Sequence, residues 1–142
     1  MTNEERELAL QTLARGGFVA PDAEADALLG ASSEGVGPIE DLIARRLLGQ
    51  PLAWNIGWVR FYGLRVRVDR GVFVPRPHTE ALARRAVALL PPLGIAVDLC
   101  TGSGAVAAVL GSERPRAAVV AADNRPAGRG VCASQRGPCA RG

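Results

Sequence analysis

Two short apolar runs, Ile95-Ala96-Val97-Asp98-Leu99 and residues 117–122, lie on either side of a glycine turn at 100–104 and a small-residue stretch at 105–110. Runs of this length without polar alternation suit buried strands, and 105–110 suits the helix between them. Strand, helix and strand in this order make one βαβ unit, which implies a parallel sheet. Every other segment has to be arranged around that unit.

Upstream, the spacing predicts three short helices. Leu8, Leu10 and Leu13 follow an acidic first turn at Glu4, Glu5 and Glu7, and Gly16-Gly17 stops that helix. Asp22 is placed to cap a second helix that reaches Leu28 and Leu29 and ends at Gly30, with residues 31–37 as a Ser/Gly connector. Pro38 opens a third, in which Ile39, Leu42, Ile43 and Leu47 recur at helical spacing. The period then changes. Residues 54–62 are aromatic and β-branched, Leu64, Val66 and Val68 alternate with Arg65, Arg67 and Asp69, and Gly63 sits between the runs, which predicts a β-hairpin. Trp54, Trp58 and Phe61 are expected in its core. An extended loop with Pro75 and Pro77 follows, and Thr79 is expected to cap a helix over 80–90 that Pro91-Pro92 ends.

Composition excludes wholesale disorder and collagen-like repeats, at 48% hydrophobic and 22% charged. The net charge is +3, with 17 basic residues, all arginine, against 14 acids. Residues 1–123 hold 13 arginines and 14 acids, so the excess falls in residues 124–142, where four arginines stand without an acid. No run approaches the ~18 apolar residues of a membrane span. The start is acidic rather than signal-like, and the expected compartment is the cytoplasm. Cys100, Cys132 and Cys139 form neither an even disulfide framework nor a close-spaced metal pair.

Chemistry concentrates at Asp98-Leu99-Cys100-Thr101-Gly102-Ser103-Gly104. Glycines between a strand and a helix let the backbone approach a ligand and leave helix N-terminal amides free to receive its oxygens. Asp123, 21 residues after Gly102, stands where an acid commonly grips ribose hydroxyls. Together they describe a nucleoside-binding crevice. Gly102-x-Gly104-x-x-Ala107 also satisfies a dinucleotide pattern, which keeps an NAD-binding oxidoreductase open. Asp98 opposes it, since a carboxylate at the strand end repels a pyrophosphate and suits a cationic ligand such as S-adenosylmethionine. A third reading has Asp98 merely capping the turn.

The run Val72-Phe73-Val74-Pro75-Arg76-Pro77-His78-Thr79-Glu80, followed by Asp98 to the glycine turn, resembles the release-factor glutamine N5-methyltransferases. Arg45-Arg46-x-x-Gly49-x-Pro51-Leu52, with Ile56-Gly57 and Phe61, resembles them too. The resemblance implies an α/β fold: an N-terminal helical domain (1–52) that docks the protein substrate, a hairpin linker and loop (53–78), and the βαβ start of a Rossmann-like methyltransferase domain (79–123). It implies that Asp98, Thr101, Gly102 and Gly104 line a site for S-adenosylmethionine and that Asp123 holds its ribose, with the loop at 75–80 nearby. The implied partner is a protein, such as a peptide chain release factor, and the implied reaction is methylation of a glutamine side chain. Cys100 stands where most members have glycine and His78 where many have glutamate, which points to a paralogous subgroup. Cys100 reads as a small turn residue rather than a nucleophile, because methyl transfer from a sulfonium is direct displacement.

The family's Asn-Pro-Pro-Tyr tetrapeptide, which holds the acceptor amide, is absent. The expectation is therefore a chain truncated after its second core strand and inactive alone, with no catalytic residue to assign and no metal. Residues 124–142 read as an unstructured tail. GC-rich codons for it, shifted by one base, can encode Thr-Asp-Pro-Pro-Ala-Val-Ala, as the resemblance would continue, so the tail reads as out of frame. The rival reading, an arginine arm that binds nucleic acid, lacks aromatic residues for stacking.

Overall fold

Glycine sets the ends of the first three helices. The computed structural model describes residues 3–124, and its first helices are α1 (Asn3–Arg15), α2 (Pro21–Ser33) and α3 (Ile39–Leu47). Gly17, Gly35 and Gly49 follow them with φ of 79°, 82° and 84°. Their amides donate to the carbonyls of Ala14, Ser32 and Arg46, while Phe18, Val36 and Gln50 donate to Leu13, Ala31 and Arg45. Each pair of bonds is a Schellman closure, which satisfies carbonyls that the helix leaves open and requires a left-handed residue.

This corrects two expectations for α2. Gly30 lies inside the helix, because the left-handed position is filled five residues later by Gly35. Asp22 is no cap either: Ala20 occupies that position without a side-chain bond, and a proline opens the first turn. α1 also turns differently from its leucine spacing, burying Ala9 and Leu13 while Leu8 is exposed. A fourth helix, α4 (Leu52–Ile56), replaces the expected start of the hairpin. Pro51 opens it, the Trp54 amide donates to Pro51, and Gly57 closes it at φ 83°. Local closure at both ends overrides the strand preference of Trp54 and Ile56.

The chain divides after Gly57 into two compact units. In the first, Leu13, Leu28 and Leu42 are fully buried. Arg46 ties it together. Its guanidinium grips Glu24 of α2 through two bonds of 2.5 and 2.9 Å, donates to the Gln50 carbonyl at 3.1 Å, and stacks 4.1 Å from the centre of the Phe18 ring.

The second unit begins with β1 (Trp58–Phe61) and β2 (Leu64–Arg67), paired antiparallel with Phe61 opposite Leu64. Tyr62 and Gly63 both take positive φ, 51° and 77°, the requirement of a two-residue type I′ turn. Phe61 belongs to the core, whereas Trp58 lies half-buried on the opposite side of β1. α5 (Thr79–Leu89) starts on Thr79 itself, without a side-chain cap. Thr79 and Glu80 already donate to Arg76 and Pro77, so the chain is winding before the expected cap is reached.

β3 (Ile95–Leu99), α6 (Ala105–Glu113) and β4 (Ala118–Ala122) form the predicted parallel βαβ unit, with Asp98 opposite Ala121. Phe61, Val66, Ala83, Val87, Val109 and Val119 make one apolar cluster joining hairpin, helices and sheet. The strands are not buried on both sides as expected: Ile95, Val97 and Leu99 are 76%, 58% and 71% exposed, while Val119 and Ala121 point into the core. Period-2 alternation sends one face to the helices and leaves the other open. The predicted tail lies outside the described residues but for Asn124.

Candidate functional site

The site is built by a turn whose shape only a few residues tolerate. Cys100, Gly102 and Gly104 all adopt left-handed conformations, with φ of 56°, 58° and 79°. A Cβ at Gly102 would meet nothing within 4 Å, so the backbone angle, not crowding, is what calls for glycine there. Cys100 accepts the same conformation with a side chain, at a cost of roughly 1 kcal/mol.

Two carboxylates hold this turn. Asp98 Oδ2 accepts hydrogen bonds from Thr101 Oγ1 at 2.6 Å and from the Ala107 amide at 3.2 Å. Asp123 Oδ2 accepts from the Gly102 amide at 2.8 Å, and the Thr101 amide donates to the Ala122 carbonyl at 3.1 Å. The turn is thus pinned to the ends of both strands. Ala107 is the third residue of α6, so Asp98 also caps that helix from outside it. The capping reading of Asp98 holds for one of its oxygens. Its Oδ1 makes no hydrogen bond among the described residues.

Beside the turn opens a cleft of about 310 Å³. Asp98, Thr101, Gly102, Ala105 and Val106 line one side, and Phe73, Pro75, Thr79 and Leu82 line the other. The amides of Ala105 and Val106 lie in the first turn of α6 and have no carbonyl acceptor inside the helix. The volume and mixed lining suit one small organic ligand.

Of the five residues expected at the cofactor, Asp98, Thr101 and Gly102 line the cleft, Gly104 caps α6, and Asp123 touches the turn through Gly102. The loop residues expected nearby separate in role. Pro75 and Thr79 line the cleft, whereas Glu80 turns away and accepts a 2.8 Å bond from the Tyr62 amide, bracing the left-handed hairpin turn. Sequence reasoning missed Phe73 and Leu82 as lining residues. A large apolar residue two positions before Pro75 was the available signal, because alternate residues of an extended loop face the same way. Cys100 is exposed, and no group of His, Cys, Asp and Glu among the described residues could hold a metal. No helix among them is long and apolar enough to cross a membrane.

These features define a mixed α/β protein with a ligand-sized cleft at the carboxyl end of a parallel strand pair. No family profile matches the chain. It is 40% identical to a release factor glutamine methyltransferase of Mycolicibacterium smegmatis, over 85% of this chain and 49% of that protein. The proteins of that name from Neisseria gonorrhoeae and Escherichia coli are 49% and 41% identical, over 58% and 62% of this chain and 30% and 32% of theirs. The chain is thus similar to release factor glutamine methyltransferases, and it spans about half the length of the first of these relatives and about a third of the others.

Proposed function

We propose that this chain carries the cofactor-binding part of an S-adenosylmethionine-dependent methyltransferase, with a Rossmann-like domain beginning at the βαβ unit. The proposed acceptor is the side-chain amide of a glutamine in a protein, a release factor by the names of its relatives. The observation that carries the reading is that Asp98 lines the cleft while its bonds to the turn use Oδ2 alone, which leaves Oδ1 for a cationic group. The cofactor fits this donor set, since it joins an ammonium to a nucleoside, and when bound it supplies an electrophilic methyl group on a sulfonium.

The chain's own residues then bind and orient. Asp98 takes the ammonium, the backbone at Thr101, Gly102 and Gly104 approaches the ligand closely, and Asp123 holds ribose hydroxyls. Phe73, Pro75 and Leu82 shield the far side from water, which strengthens those polar contacts. A dinucleotide is disfavoured on the same geometry, because the Gly102 amide that would meet a pyrophosphate already donates to Asp123.

The family's Asn-Pro-Pro-Tyr tetrapeptide is not among the 142 residues, so a polypeptide of these residues binds cofactor without turning it over. Isothermal titration provides the test. Saturable binding of S-adenosylmethionine with none of NAD supports the reading, and preference for NAD refutes it.

A further inference from the structure

We infer that the free edge of β3 pairs antiparallel with β3 of a second copy of this chain, in a weak two-fold dimer that sets Val97 opposite its twin. Hydrogen bonding decides which groups are free for this. The Ala118 amide donates to the Gly94 carbonyl, so Gly94 faces β4. Backbone groups of alternate residues in a strand point to the same side, so Ala96 and Asp98 face β4 too. The amides and carbonyls of Ile95, Val97 and Leu99 then point to the other edge, where no strand pairs with them among the described residues.

Natural sheets blunt a free edge with a charge, a proline or a bulge. β3 has no proline, and it pairs with β4 residue for residue without a bulge. Its one charge, Asp98, is turned to Thr101 and the Ala107 amide. No residue of β3 is buried, so Ile95, Val97 and Leu99 set three large aliphatic side chains beside the free groups. The outer edge of β4 is less open, since Ala121, which faces that way, is already engaged.

A second copy fits because this edge is complementary to itself. With Val97 on the two-fold axis, Ile95 of each copy lies opposite Leu99 of the other, and every outward amide meets an outward carbonyl. Opposed side chains share one face, so Ile95 packs against Leu99 and Val97 against its twin. Charge selects the direction. Asp98 and Asp123 stand at the carboxyl end of the strand pair, while Arg114 and Arg116, against Glu113, stand just ahead of β4 at the amino end. Antiparallel pairing sets the acidic end of each copy beside the basic end of the other, where a parallel partner would align like with like. Five residues from each copy make a small interface, so the dimer is weak and reversible.

Analytical ultracentrifugation of the 142-residue chain, from about 5 to about 200 µM, tests this. The mass rises from 14.8 kDa toward twice that value and stops there. Val97→Lys and Val97→Glu each abolish the rise, because a charge then meets its own copy, and an equimolar mixture of the two restores it. Amide hydrogen exchange on the unsubstituted chain reads the same edge: Ile95, Val97 and Leu99 exchange about tenfold more slowly at the higher concentration, while Ala96 and Asp98 do not change. If either variant loses its native circular dichroism, the exchange data alone decide. A mass constant at 14.8 kDa, growth beyond two copies, a mixture of folded variants that stays monomeric, or slowing shared equally by Ala96 and Asp98 each overturns the inference.

Discussion

The two units use their family-like residues in opposite ways. In the helical unit the residues of the Arg45 to Leu52 run are absorbed by the fold itself: Arg46 binds Glu24, the Gln50 carbonyl and the Phe18 ring, Gly49 closes α3, and Pro51 opens α4. In the βαβ unit the corresponding residues hold a turn and still leave chemistry at the cleft, most plainly at Asp98. A family-like signature therefore has two physical meanings, architecture where its charged group and its helix ends are taken up by the fold and a site where chemistry is left at a cleft. Unmatched polar atoms occur in the helical unit too, beginning with the buried Oε1 of Gln50. Asn55 is 1% exposed, and neither Oδ1 nor Nδ2 finds a partner.

The sharpest way to break this comparison is Arg46→Ala. It strands a half-buried Glu24 and should cost the helical unit about 2–3 kcal/mol, less than a fully buried pair because both partners keep some water. Thermal melting followed by Trp54 fluorescence should show that loss while S-adenosylmethionine affinity stays unchanged; a parallel loss of affinity would erase the distinction. Asn55→Leu should act in the other direction, stabilising by about 1–2 kcal/mol as two unmatched buried groups are removed at similar volume, which denaturant titration will register. Cys100→Gly should stabilise by at most about 1 kcal/mol, because relief of the left-handed strain is partly offset by the freedom glycine gains in the unfolded chain.

The smallest effect concerns pH. The bonds from Arg6 hold the Asp26 carboxyl below its ordinary range and raise the Arg6 guanidinium, on a fully exposed pair. A carboxyl lowered in the folded state contributes stability above its unfolded pKa and loses it as pH falls through the folded value. Asp26→Asn should therefore flatten only the acid limb of the stability profile, below about pH 4, and leave neutral pH nearly untouched, since exposed pairs contribute little.

Much of the architecture was legible in the sequence. The βαβ unit could be read because two apolar runs, a glycine turn and an acid at the end of each strand agree at every level. The ends of α1 and α3 were legible through Gly17 and Pro38. What stayed hidden was closure at a distance: Gly35 rather than Gly30 ends α2, and Pro51 with Gly57 winds Trp54 and Ile56 into a helical turn. An apolar run without polar alternation also cannot reveal which face is covered, so the exposure of Ile95, Val97 and Leu99 had to come from the structure. The site was read as a set of residues. The sharing of Asp98 between turn and cleft emerges only when Thr101 and Ala107 are seen to bond the same oxygen.

That sharing is tested most directly by Asp98→Asn, titrated calorimetrically with S-adenosylmethionine and with adenosine, which lacks the ammonium. Asparagine can keep an acceptor toward Thr101 and Ala107 while losing the charge. The account predicts an unchanged fold, adenosine affinity within about twofold, and S-adenosylmethionine affinity reduced about tenfold or more, the scale of one lost charge-assisted bond. Equal losses for both ligands, or none for either, would show that Asp98 only caps the turn.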